Sequence, residues 1–434
     1  MSDSIHFDTK KIRSGYNPAE HNLSVQVPIY QTASYDLGST ERARNLFSFT
    51  EAGFLYTRIG SPTTKVLEQR VADLDGATGA IAVSSGMAAI TYTLLSLAEG
   101  GGRILALPNL YGGTIDSFVK IYPGFGIAID FPENTDDPAA YERAIRPDTK
   151  AIFIESITNP NAEIPDIEAI ADIAHKHGIP LVVDNTFATP YLFNPFAHGA
   201  DLVVYSATKG LNGHGNVISG LILENGKFDW NNGKFPNIVR KEYLLRDGDG
   251  NYRSFFDIAP GAGFTTRIRM TYLAYLGAAV SSFDAYLVLI GIETLSERLS
   301  KQVASAHKII EYLETKQSVL WVKHPHAKNS PYKALAAKYF SKGAGAIFSF
   351  GLAGDEEQRN KFIDALEIFS YHANVGDARS LIINSPRTTH GELKPEQQEL
   401  AGITPETLRI SVGLEDPDDL IADLEQAFKA VYGE

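Results

Sequence analysis

The chain has 434 residues, enough for one large α/β domain and a smaller second one, because single cores rarely grow past about 250–300 residues. With 39 Lys and Arg against 52 Asp and Glu the net charge is −13, which argues against a polyanion such as nucleic acid as the main partner. Cysteine is absent, so disulfides, thiolate metal sites and cysteine nucleophiles are excluded.

Taken in chain order, residues 1–60 begin with the polar stretch "MSDSIHFDTKKIRSG" and continue through "PIYQTASY" and "FLYTRIGSPTT" with weak periodicity. They read as an extended arm that packs on something else. The polar start, and the lack of any run of about 20 apolar residues further on, make a soluble cytoplasmic protein without membrane contact the expectation. Ser61 has the character of an N-cap with Pro62 at the first helical position, and Val66, Leu67, Val71 and Leu74 recur near a period of 3.6, which predicts a helix.

Short apolar runs follow, "AIAVSS", "RILALP", "AIFIES", "PLVVDN" and "DLVVYS", interleaved with helical patterns such as "DIEAIADIAHKHG". Strands apolar on both faces that alternate with helices predict a mostly parallel sheet covered on both sides. Residues 225–263, rich in Gly, Asn and aromatics, interrupt this alternation and read as an insertion. A long helical pattern then spans "SSFDAYLVLIGIETLSERLSKQVASAHKIIEYLET", and a domain boundary is placed within it near Gly291. This gives a large domain over 61–290 and a C-terminal domain over 291–434, the latter with strands at "AIFSFGL" and "TLRISVGL" and a final helix "DPDDLIADLEQAFKAVYG".

Ligands of such sheets bind beyond the carboxyl ends of the strands. The residues there are Ser85, Gly86 and Met87, then Tyr111, Asn159, Asp184, and Ser206 to Lys209. "SSGMAA" opens a helix whose first N–H groups are free to meet an anion, and Ser206 and Thr208 add hydroxyl donors. Asp184 ends a buried run, where a lone carboxylate is costly unless a cation or a hydrogen-bond donor meets it. Lys209 ends the next such run, and a partly buried lysine near other positive charge loses proton affinity and becomes nucleophilic. A phosphate, a protonated aromatic nitrogen and an aldehyde that captures lysine together describe pyridoxal 5′-phosphate.

Beside that reading stands a resemblance. From "QVPIYQTASY" to "LRISVGLEDPDDLIADL" the chain resembles the Cys/Met-metabolism family of pyridoxal-phosphate enzymes, with "YTRIGSPTT", "SSGMAAI", "LYGGT", "ESITNPNAEIPDI", "VVDNTFATP", "HGADLVVYSATKGLNGHG", "NVGDARSLI" and "LRISVGLED" in the family's order. The resemblance implies an α/β fold of the type I aminotransferase-like class, a mostly parallel seven-stranded sheet between helices with a smaller C-terminal α+β domain. It implies that Lys209 forms the Schiff base and moves protons, that Asp184 pairs with the pyridine nitrogen, and that Tyr111 stacks on the ring and helps to activate the incoming amine. It assigns Gly86, Met87, Ser206 and Thr208 to the phosphate, with Tyr56 and Arg58 reaching the same phosphate from a neighbouring subunit. Asn159 is assigned to the ring hydroxyl, Arg409 to the substrate carboxylate and Ser380 to a place beside the substrate. A homotetramer built from dimers with shared active sites is the implied assembly.

Two positions depart from the family pattern: Gly210 stands where many relatives carry an aromatic residue, which is expected to widen or loosen the pocket, and Ile157 stands where proline is frequent. The insertion after the lysine, together with "LYGGT", resembles the O-acetylhomoserine sulfhydrylase branch, whose members replace the acetate of O-acetyl-L-homoserine with sulfide or a small thiol. Methionine γ-lyase, cystathionine γ-lyase and cystathionine γ-synthase activities of the same family stay open as alternatives, as do succinyl and phospho leaving groups. A non-catalytic pyridoxal-phosphate carrier is a reading from another class, although such a protein would not need Tyr111, Ser380 and Arg409. No metal is expected: His175 and His177 fall on different faces of a helix, and "DGDGNY" puts Tyr252 and Ile258 where a calcium loop needs glycine and glutamate.

Overall fold

In the computed structural model, which describes residues 5–247, 249–391 and 394–434, the apolar runs become strands of one seven-stranded sheet. These are β1 (Gly79–Val83), β2 (Gly102–Ala106), β3 (Ile127–Asp130), β4 (Thr149–Glu155), β5 (Leu181–Asp184), β6 (Leu202–Ser206) and β7 (Gly220–Glu224), in the order β1-β7-β6-β5-β4-β2-β3. All neighbours run parallel except β7, which is antiparallel to both β1 and β6. Every residue of β5 is buried, as are the first four of β6, because helices cover both faces. The sheet is therefore of the expected α/β type, with the carboxyl ends of β4, β5 and β6 side by side.

Residues 5–60 are less extended than their pattern suggests. They contain α1 (Phe7–Arg13) and α2 (Thr40–Phe47), and α1 packs against α3 (Pro62–Asp75). Its anchor is a buried lysine: Lys11 pairs with Glu297 and donates to Ser296. A helix of two turns carries too few apolar positions to declare itself by period, and here its stability comes from tertiary contacts. α3 starts as predicted, with Ser61 capping Thr64 N–H, Thr64 returning the bond to Ser61 N–H, and Pro62 at the first helical position.

The insertion forms a hairpin, β8 (Glu242–Arg246) with β9 (Tyr252–Arg253), and Trp230 before it stacks on Phe264 after it at 5.0 Å. Beyond it, the helix Leu295–Leu313 passes from one core to the other: Leu295, Leu299 and Val303 pack with the large sheet, Ala306, Ile309, Ile310 and Leu313 with the second. That second sheet comprises β10 (Val319–Lys323), β11 (Ile347–Leu352), β12 (Ser370–Tyr371), β13 (Leu381–Asn384) and β14 (Thr407–Ser411), in the order β10-β11-β14-β13-β12. The closing helix Pro417–Tyr432 buries Leu420, Leu424, Ala427 and Phe428 against it. Among the described residues no helix is long and apolar enough to cross a membrane.

Candidate active site

A cavity of about 260 Å³ opens beyond the carboxyl ends of β4, β5 and β6. One end of it is the start of α4 (Gly86–Leu97). Ser85 caps Ala88 N–H at 3.1 Å, which leaves the first turn's remaining N–H groups directed at the cavity. A Cβ on Gly86 would meet Ser206 Cβ at 2.6 Å, so only glycine lets the end of β6 come this close to the helix N-terminus. Ser206 and Thr208 line the same end. The result is an anion cradle built from a helix N-terminus and the Ser206 hydroxyl, with the Thr208 hydroxyl beside it bonded to the main chain of Ser219.

The turn after β6 carries Lys209, whose N–H donates to Ser206 O and whose carbonyl accepts from Gly213 N–H. Its Nζ donates to Asn374 Oδ1 at 2.8 Å. Burial, and then the positive charge of Arg409, bring its proton affinity down to about 8 from 10.5. Asp184, the last residue of β5, accepts from both the N–H and the hydroxyl of Thr186. Its register partner at the end of β4 is Glu155, so two buried carboxyl groups stand side by side, and burial raises the proton affinity of both. Tyr111 precedes α5 (Gly112–Lys120) and lines the cavity while staying 41 % exposed.

Arg409 enters from the second sheet. It lies on β14 between Ser349 and Ile383 of the neighbouring strands and is buried. Nη1 donates to Asn159 Oδ1 at 3.0 Å and Nη2 to Asn374 O at 3.3 Å, whereas Nε has no partner. Among the described residues no carboxylate forms an ion pair with it. A buried guanidinium with an unmet donor, beside a cavity, is built to receive an anionic ligand.

The chain matches the Cys/Met metabolism PLP-dependent enzyme family over residues 8–429. It belongs to that family. Sulfhydrylase FUB7 of Gibberella moniliformis is 41 % identical over 99 % of this chain and 98 % of its own. The O-acetyl-L-homoserine sulfhydrylase of Leptospira meyeri is 41 % identical over 98 % and 97 %. A crystal structure from Campylobacter jejuni, described as an O-acetylhomoserine (thiol)-lyase containing N′-pyridoxyl-lysine-5′-monophosphate, superposes with a TM-score of 0.90 at 35 % identity, covering 98 % of this chain and all of that one.

As a member of this family the protein is a pyridoxal-phosphate enzyme, and its residues fit the group. The glycine-permitted cradle at α4 suits the phosphate, Asp184 suits a protonated ring nitrogen, and Lys209, with its lowered proton affinity, suits the aldehyde. The cavity thus brings together Gly86, Met87, Tyr111, Asn159, Asp184, Ser206, Thr208, Lys209 and Arg409. Asn159 faces Arg409 through its side chain.

Three expected site residues stand elsewhere. Ser380 is fully buried away from the cavity: its hydroxyl donates to Glu415 and accepts from Gly413 N–H, both at 2.8 Å, so it braces the loop behind the site. Asn374, six residues earlier in the same motif, faces the cavity instead. Tyr56 and Arg58 are exposed and line no part of the cavity within their own chain; Arg58 lies over the Tyr56 ring at 5.3 Å and donates to Ala274 O. Gly210 is not part of the cavity wall either. A Cβ there would meet Thr189 Cγ2 at 2.9 Å, and Gly376 packs directly on its backbone, so this glycine admits close packing and does not widen the pocket. Ile157 does line the cavity. Glu155, Thr186 and Asn374 are site residues that the sequence pattern left unmarked, although Glu155 ends an apolar run just as Asp184 does.

Proposed function

We propose that this enzyme is an O-acetylhomoserine sulfhydrylase: it exchanges the acetate on the γ carbon of O-acetyl-L-homoserine for sulfide, or a small thiol, and releases L-homocysteine, or the corresponding thioether, and acetate. The observation that carries the reading is the full-length identity of about 41 % to sulfhydrylases, joined to a cavity lined by a lysine of lowered proton affinity and an arginine without an ion-pair partner, both of which contact Asn374.

When bound, the cofactor supplies an aldehyde that takes up the substrate amine and a ring that accepts the electrons left behind by a departing proton. Asp184 holds the positive charge of the ring nitrogen in place. Arg409 receives the substrate carboxylate in a two-pronged grip that fixes the α carbon relative to Lys209. Lys209, whose lowered proton affinity leaves a sizeable share of free amine near neutral pH, would remove the α proton and then move a proton at the β carbon. These transfers release the C–O bond to acetate, and sulfide forms the new C–S bond at the same carbon. Tyr111 covers the cavity mouth and limits water access. Gly86, Met87, Ser206 and Thr208 would hold the phosphate.

The assembly we propose is a homotetramer, a dimer of dimers, working in the cytoplasm, with Tyr56 and Arg58 completing the phosphate site of the neighbouring subunit. Their exposure, away from the cavity of their own chain, supports this. The deciding assay offers the purified protein sulfide with O-acetyl-, O-succinyl- and O-phospho-homoserine in turn, and methionine or cystathionine as elimination substrates. Homocysteine and acetate in equal amounts, fastest from the O-acetyl ester, are expected. Faster release of 2-oxobutanoate from methionine or cystathionine would overturn the assignment.

A further inference from the structure

Glu155 has no place in the chemistry described above, yet it lines the cavity beside Asp184. It is 6 % exposed, ends β4, and faces Asp184 directly across the ladder. Setting a second carboxyl group beside the one that serves the cofactor is unfavourable on grounds of both burial and like charge. No Lys, Arg or His among the described residues forms an ion pair with it. Its compensation is two main-chain donors: Oε1 accepts Tyr111 N–H at 2.8 Å and Oε2 accepts Asn159 N–H at 2.8 Å.

Those donors belong to segments that are far apart in sequence and have different tasks. Tyr111 leads into α5 and brings its ring to the cavity mouth. Asn159 follows β4, and its side-chain oxygen accepts from Arg409 Nη1 at 3.0 Å. A continuous chain of contacts therefore runs from the ring of Tyr111 through its main chain, Glu155, and the main chain and side chain of Asn159, to the guanidinium of Arg409. Only a carboxylate can serve at its centre, since an amide offers one acceptor oxygen and turns a donor toward the other N–H.

We propose that Glu155 is a positioning residue that locks the main chain at Tyr111 and at Asn159 into one unit, so that the ring at the cavity mouth and the carboxylate-gripping Arg409 keep a fixed relation. The inference rests on the reading of the cavity as the pyridoxal-phosphate site. It makes Glu155 a determinant of how bound cofactor and bound substrate are oriented, without contact to a reacting atom.

The test uses the holoenzyme and the variants Glu155→Gln and Glu155→Asp. Gln keeps the length and loses one acceptor, whereas Asp keeps the charge and is too short to reach both donors. For both, kcat is expected to fall by about 10- to 100-fold, the cost of small misplacement of reacting groups, and the visible circular dichroism of the bound cofactor to drop to about half. The KM for the acylated homoserine rises through Arg409, the KM for sulfide stays, and the melting temperature remains within about 5 °C of wild type. Wild-type values of kcat and dichroism in either variant would overturn the proposal. So would equal rises in both KM values with an unchanged dichroism. Amide hydrogen exchange of the wild-type protein gives a second measure that needs no variant: Tyr111 and Asn159 amides are expected among the slowly exchanging ones, and rapid exchange at either would refute the clamp. If wild-type protein binds no pyridoxal phosphate at all, it is the cofactor reading that fails, which separates the two results.

Discussion

The lowered proton affinity of Lys209 leads to a quantitative expectation. With a midpoint of about 8 instead of 10.5, the share of free amine at pH 7.5 is about 24 % instead of about 0.1 %, a gain of over two orders of magnitude in reactive lysine. Burial is the larger cause and the charge of Arg409 the second. Replacing Arg409 with Gln therefore moves the midpoint only part of the way back toward 10.5. The assay mixes cofactor-free protein with pyridoxal phosphate between pH 6.5 and 10.5, follows the visible band in a stopped-flow instrument, and normalises to a simple amine so that the cofactor's own titration cancels. The rate rises with pH as the amine loses its proton. Half-maximal rate near pH 8 in the wild type and at a higher pH in Arg409→Gln is expected. A wild-type midpoint above pH 10, or no difference between the proteins, would refute the reasoning.

Further expectations concern the support of the site. Asp184→Asn keeps the shape but not the charge that holds a protonated ring nitrogen, so kcat should fall by about 100-fold or more while cofactor still binds, as steady-state kinetics and the visible spectrum would record. Asp75 is buried, bonded to Tyr205, and has its proton affinity raised to about 7 by burial, so the folded state holds a proton that the unfolded chain gives up near 3.8. Its contribution is present in full below pH 3.8 and is lost as pH rises to about 7; Asp75→Asn should flatten that slope in denaturation at pH 5 and pH 8, and equal slopes would contradict it. Gly213 has φ of +72°, and a Cβ on it would lie 1.8 Å from Arg298 Nη1, the guanidinium that holds Gly210 O and Leu211 O. Gly213→Ala should cost about 2 kcal/mol or more in urea titration and disturb the turn of Lys209; wild-type stability would show that the turn yields easily.

Much of this site is legible in the sequence because strand ends are. A continuous apolar run fixes a buried strand, and the first polar residues after it must emerge at the ligand-binding edge, as Asp184, Ser206 and Lys209 do. Glu155 obeys the same rule at the end of "AIFIES". Ser380 and Asn374 show where pattern stops helping. Both sit in one motif, and which of them faces the cavity depends on a chain reversal at Gly376, with φ of +68°, and on Glu415, 35 residues further on, which takes up the serine hydroxyl. The direction of β7 is equally a matter of the loop before it, since antiparallel and parallel buried strands share one composition. The first 60 residues hid α1 because its burial depends on Lys11 meeting Glu297, 286 residues further along the chain.

The large sheet supplies Lys209, Asp184 and the cradle at α4, whereas Arg409 comes from the smaller one. The groups proposed to hold the cofactor and the arginine proposed to take the substrate carboxylate therefore stand on separate sheets. A small shift of one sheet against the other would then alter the spacing between the two proposed grips while leaving each of them intact.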